Sequence, residues 1–281
     1  MVPVRPKSRM DPIAKMAYYC CGVRMEDAQS AHPVCGDHLA QRFMDAEARA
    51  VFERFKGFRA ANASNVARHR VIDDILRKRI HARPDRRIVL LGAGFDTRAF
   101  RLTGGEWLEL DHPVLIALKQ RKLPAAQAPN PLRRVAIDFA RDRLVDRLQS
   151  LRGAIAPVVV MEGVSMYLQP DQLRLTLRSL RQLFPDHTLV CDLTTRTFAR
   201  RYSRGLRERI MELGGNFAEL VDEPAALVQS TGYRLVDKRS IPGSAVEFGS
   251  IAIPRWLLDT LLRSLRDGYQ VYVFDTINSA G

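Results

Sequence analysis

Long hydrophobic runs are missing from these 281 residues. No stretch approaches the roughly 18–20 apolar residues that a membrane-spanning helix needs, which argues against a membrane protein. Cysteine is scarce: Cys20, Cys21, Cys35 and Cys191 are the full complement. The adjacent pair cannot easily bridge to each other, and no spacing suggests a disulfide framework, so reduced thiols in a cytoplasmic protein are expected. The basic start Met1–Met10 has no apolar core segment, and a secretory signal is not expected. Acidic residues are outnumbered, 31 against 44 basic, for a net charge of +13. Such a field attracts anionic partners. No aromatic-interleaved basic stripe or nucleic-acid motif accompanies it, so nucleic acid is not an expected partner.

The spacing His32-Pro-Val-Cys35-Gly-Asp-His38 offers three zinc-type ligands, with Cys20 or Cys21 as a conceivable fourth. It matches no common zinc template, and a Pro/Gly loop needs no metal to hold polar residues. No metal is expected.

What the chain does have is order. Residues from about Pro12 to Ile80 read as helical, with periodic stretches Asp45–Ala61 and Asn65–Ile80 separated by an Asn/Ser-rich break. After Pro84 short apolar runs take over: Arg87–Leu91, Trp107–Asp111, Arg134–Asp138, Pro157–Glu162 and Thr188–Asp192. Helical stretches His112–Leu123, Arg141–Leu151 and Asp171–Phe184 separate them. Alternation of this kind predicts βαβ units and a parallel sheet covered on both faces. Tyr233–Asp237 and Tyr269–Asp275 read as closing strands with a helix, Ile253–Arg266, between them. A basic helical segment, Arg196–Gln229, is longer than a simple crossover and suits a lid or substrate-shaping insert. The fold class is therefore α/β, one domain: a helical cap (1–83), a cofactor-binding core (84–195), an insert (196–231) and closing strands (232–281).

The chemistry centres on Leu91-Gly92-Ala93-Gly94-Phe95-Asp96-Thr97-Arg98. A strand ending in Gly92 and Gly94 lets backbone approach a ligand closely. Such a turn serves a dinucleotide or S-adenosylmethionine. Thr97 stands where the dinucleotide pattern has its third glycine, a long helical region precedes the first strand, and the turn carries a charged pair; all three argue against the dinucleotide. The second strand ends at Asp111, where a carboxylate can accept from both ribose hydroxyls. Asp138 ends the third strand on the same edge and can accept from an adenine amino group. For either acid alone, a helix cap is the competing explanation.

Taken together, the segments Ala67–Asp74, Leu91–Leu102, Leu108–Pro113 with Lys119, Ala136–Asp138 and Glu162–Leu168 resemble the leucine carboxyl methyltransferase family, which includes bacterial polyketide O-methyltransferases. The resemblance covers roughly Asp37 to Asp192. It implies a class I methyltransferase sheet of seven strands, the last antiparallel, and S-adenosyl-L-methionine as cofactor. By the same resemblance Arg68 pairs with the cofactor carboxylate, Gly92 and Gly94 lie under the cofactor, Asp111 holds the ribose and Asp138 meets the adenine. Glu162 sits near the amino group or sulfonium, and Tyr167 lines the acceptor pocket. Asp96 counts among the cofactor-binding residues by the same resemblance, though neither it nor Arg98 of the same motif has an assigned contact; a surface ion pair is their alternative.

The function these features imply is O-methylation of a carboxylate or hydroxyl on a small, anionic or hydroxylated molecule. Carboxyl methylation of a peptide or protein C-terminus is the alternative within the class, and a nicotinamide-dependent oxidoreductase the alternative outside it. A carboxylate acceptor is ionised at neutral pH and needs no base, whereas a phenol, with pKa about 10, profits from one. His32, His69 and His112 are the candidate bases.

Overall fold

The computed structural model describes residues 12–139, 141–149 and 155–277. Seven strands form a single sheet: β1 (Arg87–Leu91), β2 (Glu106–Asp111), β3 (Leu132–Ala136), β4 (Val158–Met161), β5 (Thr188–Thr194), β6 (Tyr233–Ser240) and β7 (Tyr269–Thr276). Their spatial order is β3-β2-β1-β4-β5-β7-β6. The first five run parallel, and β7 pairs antiparallel with both β5 and β6. Seven strands with the last reversed is the expected arrangement.

The strands are apolar almost throughout because both faces are covered. Val89 and Leu91 of β1 pack with Leu173, Leu177 and Leu180 of α7 (Pro170–Leu183) on one side. Ile88 and Leu90 pack with Val71, Ile72 and Leu76 of α3 (Arg59–Ala82) and Ile241 of α11 (Ile241–Glu247) on the other. Successive side chains point to opposite faces, so a half-polar strand would leave one helix layer without apolar contact. The reversal of strand order between β1 and β4 opens a crevice at the carboxyl ends of the strands. Ligands of open α/β sheets bind there.

The N-terminal helices are α1 (Pro12–Ala28), α2 (Ala46–Glu53) and α3. The break between α2 and α3 is not the Asn/Ser-rich stretch but Arg54–Phe58, and α3 runs unbroken through Asn62, Ser64 and Asn65. Asn62 explains it: its amide donates to the carbonyls of Phe55 and Lys56, and its Oδ1 accepts from buried Tyr19. An Asn that satisfies the loop ahead of a helix does not compete with the helix itself.

Other boundaries differ too. β3 ends at Ala136 because its partner β2 ends opposite, at Asp111. Ile137 and Asp138 therefore lie just past the ladder. The helix expected over Arg141–Leu151 is α6 (Leu144–Leu148), and its predicted end falls outside the described residues. The helix expected over Ile253–Arg266 is two short ones, α12 (Arg255–Asp259) and α13 (Arg263–Asp267), while Ile241–Glu247 supplies an unexpected α11. Its start is encoded by Ser240, which accepts from Gly243 N, and by Pro242 in the first turn. The remaining helices are α4 (Arg98–Arg101), α5 (Pro113–Lys122) and, within the basic insert, α8 (Arg196–Tyr202), α9 (Arg204–Glu212) and α10 (Pro224–Gln229). No described helix is long and apolar enough to cross a membrane.

Candidate active site: a cofactor crevice joined to an apolar chamber

The β1 turn is shaped by backbone conformation. Gly92 and Gly94 have φ of 69° and 44°, in the left-handed region that disfavours a side chain. A Cβ on Gly92 would also meet Val164 Cγ2 at 2.5 Å. Gly92 is thus required by the chain's own backbone and packing. Gly94 N donates to Asp111 Oδ2 at 2.6 Å, and His112 N to Asp111 Oδ1 at 2.6 Å. This fixes the carboxylate at the end of β2 between two backbone donors. Burial pushes the Asp111 carboxyl up, and the two N–H bonds oppose that rise. Each oxygen keeps a second lone pair for a further donor.

Behind the turn lies a network of buried charge. Arg68, on the inner face of α3, donates from Nε to Glu162 Oε1 and from Nη1 to Asp192 and to the Tyr269 hydroxyl. Its Nη2 has no hydrogen-bond partner among the described residues and lies beneath Gly163, whose added Cβ would meet it at 3.3 Å. Arg98 is wholly buried and pairs with Asp73, Asp96 and Glu162. Asp96 and Arg98 are therefore no surface pair: Asp96 also accepts from Arg98 N at 2.7 Å and holds the guanidinium in place. Burial alone would raise the Glu162 carboxyl; Arg98, His69 and Arg68 instead hold it well below the usual carboxylate range.

His69, Asp96 and Glu162 bring ligand atoms within 4.8 Å of one another. The positive charge among them is Arg98, whose Nη1 contacts both carboxylates. His69 is fixed as well: Nε2 lies 2.8 Å from Arg101, and Nδ1 lies 3.3 Å from Glu162 and 2.8 Å from Arg98. Burial and the neighbouring Arg98 push its pKa down. An imidazole held at both nitrogens is a poor proton shuttle.

One cavity of about 1110 Å³ is lined by Arg68, His69, Asp96, Asp111, Glu162 and Tyr269, while Arg98, Asp73 and Asp192 are buried and are not part of its lining. That exceeds the usual ~300–1000 Å³ of a pocket for one drug-sized ligand. At one end it is lined by Asp111, Ile137, Asp138, Phe139 and Leu144, at the middle by Arg68, Asp96 and Glu162. At the other end Met16, Tyr19, Tyr167, Leu206, Ile210 and Phe217 form an apolar chamber. Tyr167 stacks on Phe217 with ring centroids 5.4 Å apart. All the sequence-predicted site residues, Arg68, Gly92, Gly94, Asp96, Asp111, Asp138, Glu162 and Tyr167, line this cavity.

Other expectations do not converge. His32 and His38 are exposed, while Cys35 is buried and, with its own N–H, is tied to the Asp27 carboxylate. His112 borders the cavity but serves as the N-cap of α5. Thr97 is buried and donates to Asp37 at 2.6 Å, a polar anchor in place of a close glycine contact. Lys119 is fully buried against Glu109 of β2 at 2.9 Å. Sequence reasoning missed Asp192 and Tyr269. Asp192 interrupts an otherwise apolar buried strand, and that was the available signal. Tyr269 is named only by its contact with Arg68 and Asp192.

A family model described as leucine carboxyl methyltransferase matches residues 20–181, more than half of the chain. The chain belongs to this family. Its cofactor is accordingly S-adenosyl-L-methionine and its reaction class methyl transfer. A Streptomyces coelicolor protein named as an S-adenosyl-L-methionine-dependent methyltransferase is 38% identical over 110 residues, 36% of this chain and 35% of that protein. The chain thus spans about a third of that relative. The tetracenomycin polyketide synthesis O-methyltransferase TcmP of Streptomyces glaucescens is 25% identical over 244 residues, 83% of this chain and 85% of the other. Among solved structures, a DUF574 family protein of Streptomyces avermitilis aligns with a TM-score of 0.58 at 12% identity, covering 91% of this chain and 96% of that one. An O-methyltransferase family protein of Burkholderia thailandensis aligns with a TM-score of 0.51 at 16% identity, covering 96% and 72%. These structural likenesses bear on the fold.

Proposed function

We propose that the protein is an O-methyltransferase that methylates a carboxylate or hydroxyl of a small molecule seated in the apolar chamber. The observation that carries this reading is the cavity lined both by a charged crevice and by apolar and aromatic side chains. Bound S-adenosylmethionine supplies an electrophilic methyl group. In this reading Arg68 Nη2 donates to the cofactor carboxylate and Glu162, kept ionised, faces its amino group. Asp111 accepts from the ribose hydroxyls, and Asp138, among Ile137, Phe139 and Leu144, meets the adenine. Gly92 and Gly94 form the floor, and Asp96 acts through Arg98. The unpartnered Arg68 Nη2 and the spare lone pairs of Asp111 favour such a ligand.

An in-line displacement mainly requires the acceptor oxygen to be held against the methyl. The insert, Arg196–Gln229, supplies Phe198, Tyr202, Leu206, Ile210 and Phe217 to the cavity wall, which suits a role in shaping the acceptor and excluding water. Burial pushes the Tyr167 hydroxyl well up, so it stays protonated and can orient an acceptor but not deprotonate one. With His69 held at both nitrogens, an acceptor already ionised at neutral pH fits best. The TcmP likeness over most of both chains supports a small-molecule acceptor. A mass-spectrometric screen with isotopically labelled S-adenosylmethionine against aromatic acids, phenols and carboxyl-terminal peptides tests the reading. Labelled small-molecule product is expected, and label confined to peptide carboxyl groups would replace it with the protein-directed alternative.

A further inference from the structure

The cavity is bordered by arginines of different standing. Arg24 is buried against Asp37, and Arg68 against Glu162 and Asp192. Arg143 and Arg178 are exposed at the rim. Arg207 of α9 is unlike all of these. It is partly buried, it lines the cavity, and no carboxylate or other hydrogen-bond partner reaches it among the described residues. Its one specific contact is with an aromatic ring: its guanidinium lies over Phe217, 4.3 Å from the centroid. Phe217 is also the ring on which Tyr167 stacks, with planes only 16° apart.

Partial withdrawal of a guanidinium from water without an anion has a cost, and a ring face offsets part of it. Burial correspondingly lowers the Arg207 pKa. Leu206 and Ile210 of its own helix, together with Tyr167, Phe217 and Leu220, line the same cavity. Carboxylates nearby are already engaged elsewhere, Glu208 by Arg204 and Glu212 by Arg54 and Arg209. An unpaired planar cation whose fork can bind a carboxylate bidentately therefore sits in a chamber of flat rings.

We propose that Arg207 is the anion anchor of the acceptor site, selecting a planar aromatic molecule that carries a carboxylate. The inference rests on the reading of the chamber as the acceptor site. The ring lies along the Tyr167–Phe217 wall, and the carboxylate takes up the free guanidinium edge. Among the polar residues that also line the cavity is Asn65, 8% exposed, whose Nδ2 contacts Cys20 Sγ while its Oδ1 has no partner.

The test is a calorimetric titration of the S-adenosylhomocysteine-loaded protein with 3-hydroxy-2-naphthoate and with its neutral counterpart, 3-hydroxy-2-naphthamide. The native protein is expected to bind the acid about tenfold or more tightly than the amide, the scale of a charge-assisted hydrogen bond. Arg207→Gln is expected to abolish that preference while amide binding, S-adenosylhomocysteine affinity and the unfolding midpoint stay as they were. Arg207→Lys is expected to restore part of it. Equal binding of acid and amide by the native protein, or no binding of either, overturns the proposal, as does a preference that survives Arg207→Gln. Failure of S-adenosylhomocysteine itself to bind would instead sink the underlying methyltransferase reading, so the two failures are distinguishable.

Discussion

At the scale of single residues, the site is a problem of placing charge in a buried space. Arg68 and Arg98 stand on opposite sides of Glu162, yet their surroundings give them different work. Arg98 has every direction filled by Asp73, Asp96, Glu162 and the His69 carbonyl. Arg68 keeps one nitrogen free toward the cavity. Arg98→Ala should therefore destabilise the fold by about 3–5 kcal/mol, the cost of leaving buried carboxylates without their cation. Urea denaturation would measure it, and an unchanged midpoint would contradict the network as described. Arg68→Lys keeps a charge but loses the fork. It should weaken S-adenosylhomocysteine binding more than about tenfold, judged from loss of charge-assisted bonds. Unchanged affinity in calorimetry would remove Arg68 from the cofactor site. Arg68, Gly92, Asp111, Asp138 and Glu162 were legible because each ends a strand or belongs to a local motif. Asp192, Tyr269 and Arg207 were not, since what singles them out is a contact or a missing partner across the fold. A sequence records neither.

Elements set where those residues converge, and there the sequence was readable to different depths. Strands β1, β4 and β5 announced themselves as apolar runs because a doubly covered parallel strand has no polar face. Boundaries governed by side-chain bonds did not. The start of α3 is the example: Asn62 looked like a breaker but ties the preceding loop and Tyr19 to the helix. Asn62→Ala should cost about 1–3 kcal/mol by leaving the buried Tyr19 hydroxyl and two carbonyls short of partners. A urea midpoint equal to that of the native protein would refute this account of the boundary. A second element-level prediction concerns His187, which joins α7 to β6 at the foot of β5. Its Nδ1 lies 2.6 Å from the Phe184 carbonyl, and its Nε2 3.0 Å from the Tyr233 hydroxyl. These contacts fit a neutral ring that donates from Nδ1 and accepts at Nε2. Burial lowers its pKa to about 4, below the value of about 6.5 expected unfolded. The unfolded chain binds the proton first, so this contribution is intact above pH 6.5 and is lost as pH falls toward 4. Stability should drop by about 2 kcal/mol between pH 7.5 and 5 from this group. His187→Gln should flatten that part of the pH profile in denaturant titrations; an undiminished slope would assign it elsewhere.

For the molecule as a whole, the sheet order and the helical cap turn separate sequence motifs into one cavity with two chemical halves. The charged half is built largely from strand ends, and its residues were foreseeable. The apolar half is assembled from α1, α3, the Ser165–Tyr167 turn and the basic insert, four segments whose meeting no local pattern encodes. The central claim is that the charged half holds S-adenosylmethionine. Isothermal titration with S-adenosylhomocysteine and, separately, with NADH tests it most directly. The account predicts saturable one-to-one binding of S-adenosylhomocysteine, none of NADH, and an affinity reduced more than about tenfold by Asp111→Ala through loss of charge-assisted ribose bonds. Binding of NADH without S-adenosylhomocysteine would contradict it.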